Sequence, residues 1–110
     1  MRTAGYSSLD WINIRKEKDE LMKDFAELKK SGVSSERIEA IDLAEQHRVQ
    51  ISKWFYDCTI EIHRNLGAMF VTDLRFTRYT DTFGTGLAKY FSEAIEANSK
   101  YRLKLSENGK

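Results

Sequence analysis

Apolar side chains recur at steps of three and four residues along most of this chain, the spacing that places them on one face of an α-helix. The first stripe runs from Trp11 to Leu28, and Lys18 is its one polar member. Ser8 can cap the start of this helix. The segment from Lys29 to Gly32 can end it, because cations favour the carboxyl end of a helix dipole and glycine accepts a positive φ.

Four further segments have the same helical periodicity, and none alternates with period two, so no strand is expected. The pattern predicts an all-α protein, a compact bundle of about five helices. The first two stripes, each about three heptads long, also permit an antiparallel coiled hairpin. The predicted boundaries are a cap at Ser34 or Ser35 and an end near Tyr56 for the second helix, caps at Thr59 and Asp73, a break at Gly84 and Gly86, and fraying from about Ser99.

The composition is that of a single soluble domain, with 110 residues, 41% hydrophobic and 32% charged. A net charge of +1 gives the domain no electrostatic reason to bind nucleic acid or an anionic membrane. No stretch approaches the roughly 18 apolar residues of a membrane span. No apolar signal segment opens the chain, and the single cysteine suits a reducing compartment. These features predict a cytoplasmic domain.

The candidate reactive groups are one thiol and two imidazoles. Cys58 lies just before the third predicted helix, where a thiol can become acidic, but a small buried hydrophobe is the favoured interpretation. His47 and His63 are not spaced as a metal-binding pair, and no base, nucleophile and orienting group converge. The sequence therefore predicts no metal, no cofactor and no enzymatic activity.

A family resemblance rests on seven segments taken together in order and spacing. They are YSSLDW (6–11), AEQHR (44–48), WFYDC (54–58), EIH (61–63), LGAMFVTDLRF (66–76), GLA (86–88) and AIEAN (94–98). With these segments the chain resembles the TipAS family, the antibiotic-recognition domain at the carboxyl end of MerR-type transcription activators. The resemblance implies a globin-like fold that binds bulky, apolar, drug-like molecules or peptide antibiotics in a cleft. It also implies that part of the domain folds over the bound ligand as a lid.

The same resemblance implies how binding is used. In the full-length regulators, which we expect to be homodimers, a separate winged-helix domain contacts DNA and activates resistance or efflux genes. Residues 1–110 are then one domain, expected to be a fragment of a longer regulator, with a free-standing drug-sequestering protein as the other possibility. A helical protein–protein interaction or dimerisation module is an alternative of a different class.

The resemblance also bears on covalent chemistry. In the thiopeptide-binding member of the family a cysteine captures the antibiotic, and Asn65 occupies that position here. An amide is no nucleophile, so binding is predicted to be non-covalent, with Cys58 the one possible reactive thiol. The site is expected between the second and third helices, with Asn65 giving an orienting hydrogen bond. The predicted ligand-binding residues are Trp11, His47, Ile51, Phe55, Asn65, Ala68 and Met69.

Overall fold

The computed structural model of the protein describes residues 5–108, which contain five α-helices and no strand. The all-α prediction is therefore confirmed. None of the helices in this described range is long and apolar enough to cross a membrane. The helices are α1 (Ser8–Lys30), α2 (Ile38–Trp54), α3 (Ile60–Phe70), α4 (Leu74–Asp81) and α5 (Leu87–Asn108).

Side-chain caps explain where three of the helices begin. Thr59 Oγ1 accepts a hydrogen bond from the amide of Ile62 at 3.1 Å, and Asp73 Oδ1 accepts from the amide of Arg75 at 2.9 Å. Both caps agree with the sequence prediction. α1 begins at Ser8, but its cap is Ser7, one residue earlier, in a reciprocal capping box with Asp10.

The start of α2 was predicted wrongly at Ser34 or Ser35. Ser34 Oγ instead accepts from the amide of Glu36 at 3.2 Å, which closes a turn before the helix. The helix therefore starts at Ile38, after Arg37, which makes no side-chain cap. It also ends at Trp54, two residues before the predicted end.

The carboxyl end of α5 was also predicted wrongly, because the helix does not fray at Ser99 but continues to Asn108. Asn98 and Ser99 are both buried. The Asn98 amide donates to Glu45 Oε1 of α2 at 3.1 Å, and Ser99 Oγ donates to the Ile95 carbonyl at 3.0 Å. These polar side chains are satisfied inside the fold, which their polarity in the sequence does not reveal.

α5 is the central helix and packs against the other four. Its Phe91 is fully buried and lies with its ring centroid 4.9 Å from that of Phe25 on α1. α3 approaches α5 closely at Gly67, where an added Cβ would lie 2.8 Å from Ile95 Cγ2. The core is thus built around α5, which leaves the outer parts of α1 and α2 to face each other.

Candidate functional site

A cavity of about 460 Å³ lies between α1 and α2. This volume is within the range of small-molecule sites, and the wall has the mixture of aromatic, aliphatic and a few polar groups typical of them. Both tryptophans of the chain belong to it. Its lining residues are Trp11, Ile14, Arg15, Lys18, His47, Gln50, Ile51, Trp54 and Phe55.

Contacts among aromatic side chains hold one end of the cavity in shape. Tyr6, just before α1, donates its hydroxyl to the carbonyl of Trp54 at the end of α2. Its ring meets those of Trp11 and Trp54 edge-on, with centroids 5.8 Å and 5.5 Å away. Trp54 Nε1 in turn donates to Glu17 Oε1 at 3.2 Å, and the ring of Phe55 lies 6.4 Å from that of Trp11. These contacts tie the two helices together and orient both indole rings.

The two histidines meet behind the cavity. His47 Nδ1 lies 2.8 Å from His63 Nε2, and the His47 ring meets Phe91 edge-on at 4.8 Å. Burial lowers the pKa of His47 to about 3, with further lowering by the neighbouring His63 and by Lys18. Burial likewise lowers the pKa of His63 to about 4, Arg48 adding to the effect. Both imidazoles are therefore neutral at physiological pH.

The hydrogen bond between two neutral imidazoles has a favoured direction. His63 is almost fully buried, and its Nδ1 has no hydrogen-bond partner in the described part of the chain. If His63 accepted from His47, that Nδ1 would be an unpaired buried N–H, which folded proteins largely avoid. If His63 Nε2 donates, the orphaned atom carries only a lone pair. His47 then holds its proton on Nε2 and is a hydrogen-bond donor in the cavity wall.

Stability is expected to fall in mild acid because of this pair. The unfolded chain takes up protons on both histidines below about pH 6.5, whereas the folded chain does so only near their lowered pKa values, so acid favours unfolding. From pH 7 to pH 5, the free energy of unfolding should drop about 2–4 kcal/mol more than in the His47→Gln/His63→Gln double variant. Urea denaturation at both pH values measures this.

The double variant is a suitable reference for the histidine contribution to stability, because the chain has no other histidine. Carboxylates contribute equally to both proteins, so they cancel in the comparison. Parallel profiles for the two proteins would show that the histidines are not held neutral.

Four of the seven predicted ligand-binding residues come together in this cavity, namely Trp11, His47, Ile51 and Phe55. The other three, on α3, do not. Asn65 and Met69 are exposed outside the lining, and Ala68 borders a separate, more polar cavity of about 590 Å³ that Arg64 and Glu96 also line.

The aromatic cavity therefore lies between α1 and α2, whereas the site was expected between α2 and α3, and ligand binding by Asn65, Ala68 and Met69 stays a prediction. The reason is the orientation of α3, which turns His63 and Gly67 inward. The His47–His63 contact occupies the space between α2 and α3. Residues on the opposite side of α3 consequently point to solvent.

The set of predicted ligand-binding residues lacks five of the lining residues: Ile14, Arg15, Lys18, Gln50 and Trp54, of which Trp54 was a candidate pocket aromatic. For two of them, the sequence contained a signal that could have identified them as lining residues. Ile14 and Lys18 belong to the apolar stripe of α1, and a cation within such a stripe is a sign that part of the helix face borders open space rather than a closed core. No pattern in the sequence distinguishes Arg15 or Gln50 from other polar surface residues.

Cys58 lies in the joint between α2 and α3 and is 2% exposed. Its backbone is held on both sides, since its amide donates to Ser52 Oγ at 3.0 Å and its carbonyl accepts from Arg48 Nη1 at 2.7 Å. Burial raises the pKa of the thiol above its ordinary value, which keeps it protonated and unreactive. These observations favour the buried hydrophobe. Within the described residues, no three His, Cys, Asp or Glu side chains form a potential metal-binding group.

The sequence and the fold of this chain match a known family of protein domains. The sequence profile of the TipAS antibiotic-recognition domain matches residues 1–98, which include every residue of the cavity wall. The chain is therefore a member of the TipAS family.

Two relatives are transcriptional activators. The chain is 44% identical over 98 residues to the HTH-type transcriptional activator TipA of Streptomyces coelicolor, a match that covers 89% of this chain and 39% of TipA. It is 39% identical over 94 residues to the HTH-type transcriptional activator mta of Bacillus subtilis, covering 86% of this chain and 36% of that protein. The chain thus spans about two fifths of the length of these relatives.

Solved structures agree with this assignment. The TipAS of Streptomyces lividans, determined in complex with nosiheptide, matches with a TM-score of 0.87 and 42% identity over 92% of this chain and 71% of that one. The antibiotic-binding domain of a TipA-class multidrug resistance transcriptional regulator matches with a TM-score of 0.74 and 43% identity, over 81% of this chain and 95% of that one.

Proposed function

We propose that this domain senses bulky, apolar, drug-like molecules or peptide antibiotics by binding them in the cavity between α1 and α2. The observation that carries the proposal is the cavity itself, which leaves about 460 Å³ of space against three aromatic and two isoleucine side chains. Covering this apolar wall with the protein's own side chains would remove it from water and stabilise the fold. A domain that keeps it open has a surface suited to a ligand of the kind bound by the nosiheptide-binding relative.

Binding in this cavity is non-covalent in our proposal. No cysteine lines it, and the one cysteine of the chain, Cys58, is buried elsewhere with a raised pKa. Asn65, at the family's capture position, is exposed on α3 and has an amide in place of a thiol. Affinity then comes from apolar contact area, with His47, Gln50 and the two cations available for orienting hydrogen bonds.

We further propose that the domain is the ligand-binding part of a cytoplasmic MerR-type activator and catalyses no reaction. The relatives named as transcriptional activators are more than twice as long as the matched region. In this proposal a separate winged-helix domain contacts DNA, the full-length regulator is a homodimer, and bound ligand activates resistance or efflux genes. A ligand can do this by binding one of two conformations more tightly than the other.

Nosiheptide is the natural probe for a first test. Because both tryptophans line the cavity, its binding should change the intrinsic fluorescence of the domain and raise the melting temperature as the nosiheptide concentration increases. N-acetyl-tryptophanamide controls for absorption by the ligand. The mass of the protein recovered after denaturation should be unchanged, as non-covalent binding requires.

Sedimentation of the same samples separates this proposal from its alternative. A dimer that forms with increasing protein concentration, without any response to nosiheptide or a panel of other peptide antibiotics, would favour a protein–protein interaction module. A saturable fluorescence and melting response would favour the sensor.

A further inference from the structure

The charged groups in the cavity wall are of one sign. Arg15 and Lys18 are one turn apart on α1 and both line the cavity, whereas its described lining contains no aspartate or glutamate. The remaining polar groups are the two indole N–H groups, the Gln50 amide and His47, whose Nε2 carries a proton in the tautomer derived above. The wall therefore offers a ligand two cations and hydrogen-bond donors, but no anion.

Neither cation has a carboxylate within ion-pairing distance. Among the side chains of residues 5–106, no carboxylate forms an ion pair with Arg15 or with Lys18. The two nearest acidic residues along α1 have other partners. Glu17 pairs with Lys53 at 3.3 Å and accepts from Trp54, and Asp19 accepts from the Tyr79 hydroxyl at 2.6 Å.

The positive charge acts on the cavity itself. Burial is the main cause of the lowered pKa of His47, and Lys18 contributes to the lowering through its charge. Lys18 Nζ lies 4.2 Å from the centroid of the Tyr79 ring, a cation–π contact that does not cancel its charge. The charge of Lys18 is therefore close enough to act on His47, in the opposite wall of the cavity on α2.

Aromatic side chains often attract cationic ligands, but the positive charges in and beside this cavity oppose that attraction. The ring of Trp54 already carries a cation, since Lys53 Nζ lies 4.6 Å from its centroid. A cationic ligand would enter beside Arg15, Lys18 and Lys53 with no carboxylate in the wall to replace its hydration. An anionic ligand would instead gain charge-assisted hydrogen bonds.

We propose that the cavity selects aromatic ligands bearing an anionic group, such as a carboxylate or sulfonate, which Arg15 and Lys18 bind while the aromatic walls hold the rings. Cationic aromatic compounds are disfavoured. This inference rests on the proposed function, because it specifies which members of the broad class of drug-like molecules fit the same cavity.

Two fluorescent dyes that differ by one group test the inference. Anilinonaphthalene sulfonate carries a sulfonate, and N-phenyl-1-naphthylamine has the same rings without it. The wild-type domain should bind the sulfonate about tenfold more tightly, and added salt should weaken only the sulfonate. Lys18→Gln and Arg15→Gln should each weaken sulfonate binding about five- to tenfold and change the neutral dye less than about twofold.

Lys16→Gln is the matched control, since it removes the same charge from an exposed position on α1 outside the cavity lining. It should change binding of the sulfonate less than about twofold. An equal loss from Lys16→Gln, or equal losses of both dyes from Lys18→Gln, would overturn the inference.

The result also separates this inference from the proposed function. If nosiheptide and the neutral dye bind but the sulfonate has no advantage, the sensor proposal survives and the anion preference is wrong. If nosiheptide and both dyes fail to bind, both are wrong.

Discussion

Replacing Phe91 with alanine is expected to lower the free energy of unfolding by about 3–5 kcal/mol, a large part of the stability of a domain of this size. Phe91 has no exposed surface, and its ring packs against aromatic rings from all four of the other helices. The centroid distances are 4.9 Å to Phe25, 4.8 Å to His47, 5.8 Å to Phe70 and 6.1 Å to Phe76. These neighbours come from different elements, so they cannot all close the gap. Urea denaturation followed by circular dichroism measures the loss.

Phe55→Ala is the matched control, because it removes the same atoms from a partly exposed ring at the cavity. Its cost should be smaller than that of Phe91→Ala, since part of the ring is in contact with water in the wild-type fold. Equal costs for the two variants would mean that Phe91 is not the centre of the core.

Trp11→Ala should weaken ligand binding strongly and should destabilise the fold less than Phe91→Ala does. The side chain is 46% exposed, so its loss should lower the free energy of unfolding by about 1–2 kcal/mol, less than the loss expected for Phe91→Ala. In the cavity it contributes an indole face beside Tyr6 and Phe55. Buried tryptophans at binding sites often contribute about 2 kcal/mol or more, so nosiheptide affinity should fall about 30-fold, as measured by titration calorimetry.

Ile12→Ala controls for this variant. Ile12 is the next residue, is 61% exposed and does not line the cavity, so its substitution should leave nosiheptide affinity within about twofold of wild type. If Ile12→Ala and Trp11→Ala weaken binding to the same extent, the ligand lies on the surface of α1 rather than in the cavity.

Local sequence signals predicted the starts of α3 and α4 correctly, because there a side chain caps the first turn of the helix. Thr59 and Asp73 were identified as caps because their hydroxyl and carboxylate reach amides two or three residues away. The errors occur where a local signal competes with another interaction. Ser34 closes a turn before α2. Asn98 is held in the core by hydrogen bonds with Glu45 on α2 and with Arg102 one turn further along α5.

The candidate site was harder to predict for a geometric reason. Helical spacing determines which residues share a face, but not which neighbouring helix that face meets. The α2 residues His47, Ile51 and Phe55 were grouped from their spacing, and they do share a cavity wall. Which helix lies opposite depends on the orientation of α3, and that is set by Gly67 allowing α3 to approach Ile95. No pattern within α3 alone reports this long-range contact.

The burial of Cys58 also has a practical consequence for measuring how the domain moves. A maleimide dye needs an accessible thiolate, and the native thiol offers neither access nor charge in the folded state. A cysteine introduced at a chosen surface position can therefore be labelled selectively without first removing the natural one. Distance measurements between two such dyes would then follow α1 and α2 during ligand entry in an otherwise unaltered core.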